Sequence, residues 1–129
     1  MVAAAPLVTG SRFYQRLQRR YGDDFTLLPP GVPSAAVLAQ ALQQLLARGA
    51  GGAAGLGVAL RTLRQLALAR LIEYECAPER LVTDEALAHL EVVTQTMTAL
   101  AELALDRACQ QACADLNERH GRPLDEQGQ

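Results

Sequence analysis

Apolar positions recur every three or four residues along most of the chain, in runs separated by short stretches that break the rhythm. Ser11 precedes Phe13, Tyr14, Leu17 and Tyr21 at helical spacing, and Gly22 follows them, which predicts a first helix over 11–22. The next stretch, DDFTLLPPGVP, combines two acids, three prolines and a glycine and predicts an extended connector. Ser34 then stands as an N-cap before Val37, Leu38, Ala41, Leu42, Leu45 and Leu46, giving a second helix over 34–48. The segment GAGGAAGLG, residues 49–57, predicts a flexible loop, because glycine costs backbone entropy in a helix interior. Leu60, Leu63, Ala67, Leu71 and Tyr74 mark a third helix over 58–77, stopped by Pro78. Thr83, Asp84 and Glu85 form an N-terminal signature for a fourth, over 84–120. Along it Leu90, Val93, Met97, Leu100, Ala104, Ala108, Ala112 and Leu116 form a stripe, with Gly121 as the C′ stop and Pro123 beyond it.

The result is one all-α domain of about four helices, the last of them long. Its 129 residues suffice for a single core. Roughly a third of the chain is Ala or Leu, which favours helix over strand. The fourth helix is too long to be covered by the third. Part of its stripe is therefore expected to meet the first two helices, another chain, or further sequence.

Charge narrows the function classes. A net charge of −2 provides no basic footprint for nucleic acid. Every basic side chain is Arg, so neither a P-loop lysine nor a Schiff-base lysine exists. No signal peptide and no membrane span are read from the sequence, and three cysteines, an odd number, point to reduced thiols in the cytoplasm.

Several residues invite chemistry and support it poorly. Cys109 and Cys113 are i,i+4 neighbours, but His120 lies about 10 Å further along the same helix, too far to share their metal ion. His89 and His120 are too distant to pair. Gly49, Gly51 and Ala54 fit a loose G-x-G-x-x-G/A pattern, yet they follow a helix rather than a strand and read as a linker. Arg70 and Glu73 are placed for an ion pair. Arg61, Arg64 and Arg70 are the candidates for contact with a phosphate or a partner carboxylate. No catalytic residue is assigned, no metal ligand, and no cofactor within this chain.

Two segments resemble a known family. LRTLRQLALARLI, Leu60 to Ile72, and TDEALAHLEVVTQTMTALAELALDRACQQACADLNERHGRP, Thr83 to Pro123, are similar to the N-terminal helical region of the glutamine synthetase adenylyltransferase/deadenylyltransferase family. The matching positions are Leu60, Arg61, Arg64 and Arg70, then Thr98, Leu100, Ala101 and Glu102, then Gly121 and Pro123. The resemblance implies a nucleotidyltransferase of nitrogen regulation that moves AMP to and from glutamine synthetase and responds to a PII-type signal protein. It implies Mg²⁺ and ATP for the full-length enzyme only, held by an Asp-x-Asp pair that this sequence lacks. On this reading the chain is an N-terminal fragment, a helical scaffold or interaction segment. Ala101, Ala104, Ala108 and Ala112 would then be its packing face toward the catalytic module. The alternative is a free-standing helical protein that self-associates through its long helix.

Overall fold

The computed structural model describes residues 10–77 and 86–128, with the side chain of Ala86 left aside. Four α-helices carry the fold: α1 (Arg12–Tyr21), α2 (Ala35–Arg48), α3 (Gly52–Glu75) and α4 (Ala86–His120). Among the described residues there is no strand, so the all-α expectation holds.

Local sequence sets most of the helix ends. The Ser11 hydroxyl accepts the Tyr14 N–H at 3.2 Å, and the Ser34 hydroxyl accepts the Val37 N–H at the same distance, so both predicted serine caps are in place. Gly121 adopts φ +76° beyond α4 and donates its N–H to the Asn117 carbonyl at 2.9 Å, the left-handed stop that glycine supplies. Thr83, Asp84 and Glu85, read as the start of the long helix, and Pro78, read as the stop of the third, lie outside the described residues.

Two boundaries differ from the sequence expectation. Residues after Gly22 do not enter an extended connector at once. Gly22–Leu27 continues α1 as a 3₁₀ helix, and extended backbone begins at Leu28. The second difference is larger. The loop expected over 49–57 occupies only its first residues, because α3 begins at Gly52 and runs through Gly55 and Gly57. Gly52 takes φ +78° at this start, a conformation open to glycine, and reverses the chain into the helix. Gly55 is buried under the Ala50 carbonyl, which crosses the first turn of α3. The glycines thus make a tight α2–α3 turn instead of a mobile linker.

Helix α3 is the centre of the bundle and packs against α1, α2 and α4. This explains why its apolar positions spread beyond the stripe predicted for it. Leu56, Ala59, Leu63, Leu66, Ala67, Ala69 and Leu71 are all buried, on several faces of one helix. The main core joins Leu28, Leu38, Ala41 and Leu42 to Ala59, Leu63, Leu66 and Ala67, with Leu100 entering from α4. A smaller cluster of Tyr14, Leu17 and Ala69 fixes α1 to the far end of α3. At the same end His89 of α4 meets Tyr74 of α3 edge-on, with ring centroids 5.9 Å apart.

Candidate functional site

The densest polar cluster is built around Arg70. Its Nε donates to the Leu28 carbonyl at 3.0 Å, and Nη2 donates to the carbonyls of Phe25 and Leu28 at 2.8 and 2.7 Å. Nη1 donates to both Glu73 oxygens at 2.9 Å. The guanidinium also lies over the Phe25 ring, 5.4 Å from its centroid. All five donors of the fork are engaged within the chain. Arg70 is therefore a clasp that ties the connector to α3, and the anion or partner contact considered for it finds no free donor here.

The sequence had placed Arg70 beside Glu73, and that ion pair is present. It did not show the two carbonyls.

Tyr14 completes the cluster. Its hydroxyl donates to Glu73 Oε1 at 2.5 Å, and its ring meets Phe25 edge-on. The phenol is pushed up to about 12, first by burial, then by the hydrogen bond to Glu73 and by that carboxylate's charge. The folded state thus favours the protonated phenol. That contribution is fully present below about pH 10 and is lost as pH rises through about 12. The decline is expected to be on the order of 2 kcal/mol. Urea midpoints measured across this window should fall more steeply for the native chain than for Tyr14→Phe; parallel curves would show that Tyr14 ionises freely.

Arg61 and Arg64, the other two candidates, are exposed on α3, and among the described residues neither enters an ion pair. Cys109 and Cys113 are exposed free thiols. Among the described residues no group of three His, Cys, Asp or Glu side chains is placed to hold a metal ion. The positions of the loose glycine pattern fall in the turn and first residues of α3. There a cleft of about 250 Å³ opens between Gly51, Gly52 and Leu56 on one side and Arg107 and Gln110 on the other.

Helix α4 has two apolar faces. One packs inward through Thr96, Met97, Leu100 and Leu103, with Arg107 and Gln111 half-buried further along. The stripe read from the sequence does not stay on that face. Its steps of four residues each turn about 40° around a helix with 3.6 residues per turn. Leu100 is buried and Ala104 half-buried, while Ala108, Ala112 and Leu116 have rotated into solvent. Ala101, on the same outer side, is exposed as well.

Those outer positions belong to a second stripe that periodicity alone did not separate from the first. Leu87, Leu90, Thr94, Thr98, Ala101, Leu105, Ala108, Ala112 and Leu116 follow one another at steps of three and four, and every one is exposed. The leucines among them are 83%, 61%, 67% and 56% accessible in chain order, which marks a face of the helix that the other described residues leave largely uncovered.

The bundle and its long last helix define an all-α helical segment. Within that class the assignment is specific: the family model described as glutamate-ammonia ligase adenylyltransferase matches residues 5–129, and the chain belongs to that family. Comparison with curated proteins and with solved structures gives no match.

Proposed function

We propose that this chain is a helical scaffold of a glutamine synthetase adenylyltransferase, a segment that supports AMP transfer without performing it. Family membership over residues 5–129 supports the enzyme context, with glutamine synthetase as the partner it implies. The observation that carries the scaffold role is the outer face of α4, with exposed Leu87, Leu90, Leu105 and Leu116 along it. On this reading Mg²⁺ and ATP act in the acidic-pair module of the full-length enzyme. The PII-type signal protein is read by the same cytoplasmic, nitrogen-regulating assembly. Arg61 and Arg64, exposed and always charged, supply forks for carboxylates of glutamine synthetase. No helix among the described residues is long and apolar enough to cross a membrane.

The test combines the purified chain with glutamine synthetase, Mg²⁺ and labelled ATP, and in parallel with adenylylated glutamine synthetase. Direct binding is measured alongside. Expected is binding that weakens when Arg61 and Arg64 are both changed to Ala, with no AMP gained or lost by glutamine synthetase. AMP transfer in either direction would overturn the scaffold reading, and binding indifferent to both arginines would overturn the contact assigned to them.

A further inference from the structure

The outer stripe of α4 is nearly symmetric about Leu105. From Thr94 onward its members lie eleven, seven and four residues before that leucine (Thr94, Thr98, Ala101) and three, seven and eleven residues after it (Ala108, Ala112, Leu116), while Leu87 and Leu90 fall outside this register. Two antiparallel copies of the helix related by a twofold axis at Leu105 would bring like-spaced positions together. Thr94 then faces Leu116 of the second copy, Thr98 faces Ala112, and Ala101 meets Ala108. Leu105 meets its own equivalent on the axis.

Charge follows the same register. Glu91 lies fourteen residues before Leu105 and Arg119 fourteen residues after it, and both are exposed. Antiparallel pairing places each Glu91 opposite an Arg119, twice per dimer, whereas parallel in-register pairing would place Glu91 against Glu91. Small residues at Ala101, Ala108 and Ala112 permit a close approach of the two helices. Ala108 and Ala112 border a shallow cleft against Leu56 and Leu60 of α3, so a second chain would lie along α4 beside α3.

We propose that this face is a self-complementary docking surface for a second copy of the chain, paired antiparallel with Leu105 at the centre. The inference rests on the helix face and not on the enzyme context. A face one helix wide supplies fewer positions than the roughly 20–30 residues a side of a standard stable interface. The dimer is accordingly expected to be weak and dependent on concentration.

Sedimentation velocity over a concentration series of the full chain tests this. A reversible monomer–dimer equilibrium is expected. Leu105→Glu, which sets like charges against each other on the axis, should weaken it by about tenfold or more, with the far-ultraviolet circular dichroism unchanged because Leu105 is already exposed. Glu91→Arg and Arg119→Glu should each weaken pairing, and the double variant should restore it. With Cys76, Cys109 and Cys113 changed to Ser, Leu105→Cys should form a disulfide-linked dimer under mild oxidation. A chain that stays monomeric throughout overturns the proposal. So does a dimer insensitive to Leu105→Glu, or a double variant that fails to recover. If Leu105 is protected from solvent only when glutamine synthetase is added, the face belongs to the enzyme instead.

Discussion

Replacing Arg70 with Ala is expected to cost about 3–5 kcal/mol of stability, the range for removing one partner of a largely buried, hydrogen-bonded ion pair. The side chain is 11% accessible, and its loss leaves Glu73 without its cation and the Leu28 carbonyl without its donor, while the Phe25 carbonyl keeps only the Leu28 N–H. Arg70→Lys should recover only part of this, since a single ammonium cannot reach both Glu73 oxygens and two backbone carbonyls with the same planar fork. The check is the urea midpoint of each variant, with the slope compared to confirm that the same surface unfolds. An Arg70→Ala chain within about 1 kcal/mol of the native one would mean that the clasp is dispensable. The loss should also appear locally, as faster amide exchange through the 3₁₀ segment and α1, before the main core is affected.

Gly55→Ala is expected to be nearly as severe, although it adds a single methyl group. A Cβ at this position would lie 1.5 Å from the Ala50 carbonyl oxygen and 2.6 Å from its carbon. Neither atom belongs to a side chain that could swing aside, so the α2–α3 turn must open or the first turn of α3 must unwind. A cost of about 2–4 kcal/mol is expected, at or above the upper end of overpacking effects, because the clash is with backbone. Gly57→Ala is the control. Its Cβ would come within 3.4 Å only of the tip of the exposed Arg61 side chain, and alanine's higher helix propensity should leave that variant neutral or slightly more stable. Thermal midpoints of the two variants separate the interpretations, since a flexible linker would tolerate both changes equally.

These two sites mark where sequence was sufficient and where it was not. The caps at Ser11 and Ser34 and the stop at Gly121 act within a few residues of themselves, so local pattern revealed them. The purpose of Gly52 and Gly55 was hidden because glycine signals conformational freedom and close approach with the same letter, and only the path of Ala50 distinguishes them. Arg70 and Glu73 were visible as neighbours on one helix, whereas Tyr14 and Leu28 reach them from 59 and 42 residues away. On α4, a one-dimensional stripe merged two faces that three-dimensional packing separates. Ala104 turns inward, and Ala101, Ala108 and Ala112 turn outward.

The exposed C-terminal end of α4 governs how the molecule breathes. From Ala112 to His120 every residue except Asp115 is exposed, so little but the helix's own hydrogen bonds holds this end in place. Its persistence depends on the helix–coil balance of the segment ACADLNERH, stopped at Gly121, and not on the cooperative core around Leu63. Amides in the last turns should therefore exchange through end-fraying at a rate insensitive to core mutations, while those of α3 report global unfolding. A surface that melts and re-forms this readily pays an ordering cost whenever it is gripped, which keeps any partnership it enters quick to dissolve.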